Sequence, residues 1–239
     1  MGRGVQGLIL KALRADDYVF TVRDTEKVNE HFHRVRFTGG GFLAAHPWYP
    51  TMWVRLWIPK SGEATPGDDD GTLVQRGYTI VDPDGDAFTI EFAMHDGPAP
   101  RWAADAQPGD TIGATLMGSK FAFPESPPSE YVLVGDAASL PAMNSLLDHA
   151  NAPARIFLEY QHDDERTLPV RGDDVTWVAR TDRGAGLVAA VEAAKVPADA
   201  FVWVAAEARA TRESVKAAKR QAVLPKTHVK SQAYWMERG

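Results

Sequence analysis

The spacing of apolar residues changes midway along the chain, and that change limits the folds open to it. In the first half the pattern has period two. Met52, Val54, Leu56 and Ile58 alternate with Trp53, Arg55 and Trp57, and Phe88, Ile90, Phe92 and Met94 alternate with Thr89, Glu91 and Ala93. Similar runs lie at residues 20–24, 35–37, 75–81 and 111–117. Period two with frequent turns predicts an antiparallel barrel or sandwich. Asp82-Pro83-Asp84-Gly85 reads as the turn between two of these strands.

In the second half residues 131–134, 156–160, 175–178 and 201–205 are nearly unbroken apolar runs, as expected of strands buried on both faces. Helix-like stretches at 140–150, 187–195 and 214–223 lie between or after them. Alternating strand and helix signals predict a parallel, doubly wound sheet. The segment Phe123-Pro124-Glu125-Ser126-Pro127-Pro128-Ser129 separates the two patterns, so the domains are drawn as residues 1–126 and 127–239. A chain of 239 residues can bury a core in each.

Composition narrows the partners. A net charge of -6 argues against nucleic acid or an anionic membrane as the main partner. The absence of cysteine excludes disulfides, thiolate metal sites and cysteine-ligated iron–sulfur clusters, and no metal site is expected. Residues 4–13 are mildly apolar but broken by Gln6, Gly7 and Lys11, so no signal peptide is expected. No apolar run reaches membrane-spanning length, and a cytoplasmic protein without direct membrane insertion is the expectation.

Two segments of the first half carry chemistry. Arg76-Gly77-Tyr78-Thr79 offers a cation, a flat ring and a hydroxyl in succession. A flavin needs a flat surface against its ring system, a hydrogen-bonding partner near the reactive nitrogen and a cation for its phosphate. A plain strand with Arg and Thr on its exposed face explains the tetrapeptide equally well. A strand's length downstream, His95-Asp96-Gly97-Pro98-Ala99-Pro100-Arg101-Trp102-Ala103 reads as a turn into a helix, whose first amides suit an anion. Arg101 adds charge there; the competing reading is a surface loop with a buried tryptophan. A lone His95 at a strand end is given a contact role at most.

In the second half Gly135-Asp136-Ala137-Ala138-Ser139-Leu140-Pro141-Ala142 follows a buried strand and opens a helix, with Ser139 as the expected N-cap. Ligands of open α/β sheets bind at the carboxyl ends of strands, where this turn and Trp203-Val204-Ala205-Ala206-Glu207 must lie. With Gly135 its only glycine, the turn is no G-x-G-x-x-G fingerprint.

These motifs, together with Ala233-Tyr234-Trp235, occur in the order found in siderophore-interacting proteins, which nearly the whole chain resembles. The opening Gly2-Arg3-Gly4-Val5-Gln6-Gly7 is similar to the N-terminal siderophore-interaction domain of mycobacterial iron-siderophore ABC transporters. The resemblance implies a ferredoxin-reductase-like architecture: an FAD-binding β-barrel, then a parallel-sheet NAD(P)H-binding domain. It implies that Arg76, Tyr78 and Thr79 bind flavin and phosphate, and that His95, Gly97, Arg101, Trp102 and Ala103 surround the FAD phosphates. Gly135, Asp136, Leu140, Pro141 and Glu207 would face NADH or NADPH. Arg55, with Lys120 and Arg238 as companions, would hold an anionic ferric siderophore.

The sequence departs from the family pattern at Pro100, where a hydroxyl residue is usual, and in a phosphate turn shortened after His95. Ala137 replaces a common acidic residue and Ala206 a usual glycine. The function implied is FAD-dependent ferric-siderophore reduction, with flavin-centred chemistry and no catalytic acid or base. A mycobactin-type siderophore is the implied substrate, and a membrane transporter domain in the same chain or complex is the implied partner. Two alternatives stay open: an electron carrier serving a protein, and a non-catalytic siderophore-binding module of a transporter.

Overall fold

The computed structural model describes residues 17–62, 73–117 and 121–237. They fall into two compact units, one ending at Phe121 and the other beginning at Ala122.

In the first unit, strands β1 (Asp17–Asn29), β2 (Phe32–Thr38), β3 (Trp53–Pro59), β4 (Leu73–Asp84), β5 (Ala87–Ala93) and β6 (Thr111–Met117) close into an antiparallel barrel. The order around it is β1-β2-β5-β4-β3-β6, with β1 bonded to β2 on one side and β6 on the other. The alternation open to barrel or sandwich thus resolves as a barrel, because pairing β1 with β6 removes both edges. Inward residues such as Phe20, Val35, Phe37, Val54, Leu56, Phe88 and Ile90 are completely buried. Each contributes about 1.5–3 kcal/mol by burial. Among the described residues this unit has helices α1 (Phe42–Ala45) and α2 (Pro98–Asp105).

The turn expected at residues 82–85 is shifted. Strand β4 continues to Asp84, which pairs with Ala87 across a turn of Gly85 and Asp86. Asp82, at φ 49°, lies in a register shift between Val81 and Asp84. The extra residues are absorbed as a bulge, where Pro83 costs no ladder hydrogen bond, and Gly85 takes the left-handed turn position at φ 61°.

In the second unit β7 (Tyr131–Asp136), β8 (Ala154–Tyr160), β9 (Asp174–Ala179), β10 (Phe201–Glu207) and β11 (Val229–Trp235) form a sheet ordered β11-β10-β7-β8-β9. Every pairing in it is parallel. Its helices are α3 (Leu140–Leu147), α4 (Ala185–Ala193) and α5 (Ala208–Gln221). Strand order reverses at β7, which has β8 on one side and β10 on the other. The crevice beyond the carboxyl ends of β7 and β10 is where such sheets take ligands. Among the described residues no helix is long and apolar enough to cross a membrane.

Candidate functional site

Strand β4 changes partner along its length. Leu73 to Thr79 pair with β3, whereas the ladder to β5 runs from Ile80–Ile90 toward the hairpin. Among the described residues no ladder pair joins residues 76–79 to β5. On that side the backbone of residues 76–78 has no ladder strand and can bond a ligand. The register also splits the motif. Arg76 and Tyr78 share a face with Leu56 and Val54, whereas Gly77 and Thr79 share the other with Arg55 and Trp53. Arg76 is exposed and, among the described residues, donates only to Gln75 O at 2.8 Å. The Tyr78 ring lies 4.4 Å from that of Phe92. Burial pushes the Tyr78 hydroxyl far above its usual range, despite the opposing charge of Arg76, so it stays protonated. Thr79 is buried.

The start of α2 is poorer in donors than the sequence suggested. Gly97 is its extended N-cap, Pro98 its first residue, and the Gly97 N–H donates to His95 O at 2.8 Å. Of residues 98–100 only Ala99 has a peptide N–H, because proline has none. A phosphate here would rely on that amide and on arginine. Arg101 donates to Asp96 Oδ1 at 2.8 Å, an exposed pair that an anion could displace. A Cβ on Gly97 would sit 2.5 Å from His95 Cε1, so the close approach of the imidazole requires glycine. Burial, reinforced by the charge of Arg76 and opposed by Asp96, lowers the His95 pKa. Its ring is therefore neutral at pH 7, and Arg76 and His95 lie near one another.

Trp102 and Ala103 belong to the barrel core. Both are fully buried, and the Trp102 indole stacks on Phe37 at 6.2 Å with 9° between planes. The loop-with-buried-tryptophan reading describes Trp102; its ring has no surface to offer a ligand, and it anchors α2. The backbone of residues 76–78, which has no ladder to β5 among the described residues, the Arg76 and Arg101 guanidiniums and the flat Tyr78 are a donor set that fits a flavin dinucleotide.

Arg55 lies on the outer barrel face between Gly77 on β4 and Thr115 on β6. Its Nη1 is 3.4 Å from Gln75 Oε1. Lys120 and Arg238 lie outside the described residues.

In the second unit Gly135, next to last in β7, packs against α3. A Cβ there would stand 2.3 Å from Ser139 Oγ and 3.0 Å from Ala205 O, so only glycine fits. Ser139 holds the N-cap position, but its side chain caps no helix amide. Instead Ser139 Oγ accepts from Asp136 N at 2.9 Å, and Ser139 N donates to Asp136 Oδ1 at 3.1 Å. The hydroxyl turns back because the tight Gly135–Ser139 packing points it at the strand. Leu140 and Pro141 are buried beneath the turn.

Asp136 and Glu207 end the two strands that flank the reversal of order. The Glu207 side chain caps α5, accepting from Arg209 N at 2.5 Å and Ala210 N at 3.1 Å. Burial alone would raise its pKa, but these amides and that of Glu237 outweigh it and hold the carboxyl below its usual range. Asp136 behaves oppositely. Burial lifts it to about 6 although Trp235, Ser139 and Arg180 all favour the charged form.

Three residues that the motifs missed complete this edge. Arg180, just beyond β9, pairs with Glu159 at the end of β8 and with Glu237 Oε2 at 2.7 Å. Its guanidinium lies 4.7 Å over the Trp235 ring. Burial outweighs Arg180 and raises Glu159. An arginine just past an apolar strand run was the available signal for Arg180, and a carboxylate inside such a run for Glu159; Glu237 had none.

Residues 21–118 match the siderophore-interacting FAD-binding domain, and residues 128–238 match the siderophore-interacting protein domain. The chain belongs to the siderophore-interacting protein family. It is 36% identical over 249 residues to the mycobactin import ATP-binding/permease protein IrtA of Mycolicibacterium thermoresistibile, covering 99% of this chain and 27% of that protein. The chain thus spans about a quarter of the curated relative it matches. A siderophore utilization protein from T. fusca superposes with a TM-score of 0.77 at 24% identity, covering 94% of each chain. A ferredoxin NADP+ reductase from Neisseria gonorrhoeae shares the fold at 11% identity, with a TM-score of 0.63 over 92% of this chain and 99% of that one. The ferredoxin-reductase-like architecture is therefore established.

Proposed function

We propose that this family member is an NAD(P)H:ferric-siderophore reductase dependent on FAD, releasing iron as Fe(II). FAD would lie on residues 1–126 and NADH or NADPH on residues 127–239. The observation that carries this reading is the stretch of β4 at residues 76–78 that has no ladder to β5 among the described residues, set within the stretch that matches a siderophore-interacting FAD-binding domain.

The chemistry that bound FAD supplies is uptake of two electrons as hydride and their delivery one at a time to Fe(III). The chain's own residues bind and orient. Arg76, Arg101 and the Ala99 amide hold phosphate, the backbone of residues 76–79 bonds the ring system, and protonated Tyr78 keeps a neutral flat surface beside it. Arg55 meets the negative charge of the ferric chelate. Ferrous iron is held more weakly by oxygen donors than ferric iron, so reduction favours release.

A mycobactin-type siderophore is the proposed substrate and a transporter the proposed partner, with the chain in the cytoplasm. The printed name of the relative, an importer of mycobactin, supports both. The test is anaerobic stopped-flow. The protein is reduced with NADH or NADPH, then mixed with ferric carboxymycobactin or ferric citrate. Flavin reoxidation in step with Fe(II) formation is expected for the siderophore. A protein that retains no FAD, or reduced protein that ferric chelates do not reoxidise, refutes the reading.

A further inference from the structure

The outer face of β3 is unusual for the outside of a barrel. Trp53, Arg55 and Trp57 occupy successive outward positions, so an indole lies on each side of the guanidinium. Each indole has a glycine on a neighbouring strand beneath it: a Cβ on Gly77 would meet Trp53 Cζ3 at 3.1 Å, and one on Gly113 would meet Trp57 Cβ at 3.4 Å.

The two indoles differ in what they leave available. Trp57 is only 7% exposed, and its N–H donates to Thr115 Oγ1 at 2.8 Å, which donates in turn to Asp17 Oδ1 at 2.8 Å. It is locked as a wall. Trp53 is half-buried, and among the described residues its indole N–H has no partner. The benzo edge of its ring rests over Gly77, so the ring lies down on the sheet. Arg55, two residues on, is about 7 Å away along the strand. Among the described residues its one hydrogen bond is the long one to Gln75 Oε1, and Gln75 Nε2 beside it is buried without a hydrogen-bond partner.

A recumbent indole beside a weakly engaged guanidinium suits a ligand that is both aromatic and anionic. Stacking needs a flat ring, and the cation meets the charge that phenolate or catecholate oxygens bring to a ferric chelate. We infer that Trp53 is the specificity-determining surface of this face, stacking an aryl ring of the ferric siderophore while Arg55 meets its charge. This rests on the proposed function and adds to it: the chain would discriminate aryl-bearing chelates from equally anionic aliphatic ones such as citrate.

The test measures binding without turnover, using gallium(III), which the protein does not reduce. Affinities of the purified chain are measured for the gallium complex of a 2-hydroxyphenyl-oxazoline siderophore and for gallium citrate. Trp53→Leu and Trp53→Gln should weaken the aryl complex about three- to tenfold and the citrate complex by less than about twofold, and Trp53→Phe should recover most of the loss. Thermal melting and flavin absorbance of each sample identify a variant that has not folded, and the other variants then decide. Equal weakening of both complexes, or no weakening, overturns the inference and leaves the reductase reading intact. Wild-type protein that binds neither complex overturns both.

Discussion

The indole N–H of Trp235 donates to Asp136 Oδ2 across 2.7 Å, tying the last strand of the parallel sheet to its first. Burial nevertheless holds Asp136 at about 6, above its usual 3.8. The native state therefore binds this proton more tightly than the unfolded chain does. Between about pH 4 and pH 6 the native state carries more of it, so this group's effect is to lower stability as pH rises through that window. Trp235→Phe removes a donor that favours the carboxylate. It should cost about 1.5–3 kcal/mol at pH 8, where Asp136 is charged, and clearly less at pH 5. Urea unfolding at the two pH values checks this; equal losses would mean that Asp136 does not titrate as described.

Gly135→Ala should destabilise the second unit by about 2–4 kcal/mol, because a methyl group 2.3 Å from Ser139 Oγ must displace α3 or the end of β10. Circular dichroism melting would show it. A change below about 0.5 kcal/mol would mean that the turn is looser than its packing indicates.

Glu207→Ala should cost about 1–2 kcal/mol through loss of the α5 cap. The amides of Arg209 and Ala210, now its donors, should lose protection in hydrogen exchange before the rest of the helix. Unchanged exchange at those two positions would contradict the capping role.

Much of this was legible in the sequence because apolar spacing reports burial directly. The runs at 131–134 and 201–205 became β7 and β10 because strands buried on both faces have no polar residues to blur them. Strand β11 was not predicted. It is an edge strand whose Ser231, Gln232 and Ala233 are exposed, so its place is set by pairing with β10, which no local pattern records. Helix α5 starts at Ala208, well before residue 214, because the buried Ala208, Ala210 and Thr211 belong to its inner face although they read as neutral. In the candidate site the motifs located Asp136 and Glu207. The Arg180–Glu159–Glu237 cluster joins residues from distant segments, and only topology brings them together.

Arg76→Ala should weaken FAD retention about tenfold to a hundredfold, the scale of one charge-assisted phosphate contact. Barrel stability should change little, since the side chain is exposed and among the described residues bonds only to Gln75 O. Titration of apoprotein with FAD, followed by flavin fluorescence, tests it. Undiminished affinity would remove Arg76 from the phosphate site.

Arg55→Glu reverses charge on the outer face of β3 and should weaken an anionic ferric siderophore at least about tenfold, with the loss shrinking in high salt. Flavin content of the same samples separates loss of cofactor from loss of substrate. Unchanged siderophore turnover would favour an electron carrier that serves a protein partner.

Asp17 and Thr115 meet where the barrel closes, although they are 98 residues apart in the chain. The ring cannot shut during synthesis until β6 has left the ribosome. Until then β1 and β3 each present an unpaired backbone edge, the geometry that recruits strands from other nascent chains. A barrel lacking Thr111–Met117 would keep both of those edges open, which makes the last strand the one that guards the fold against association.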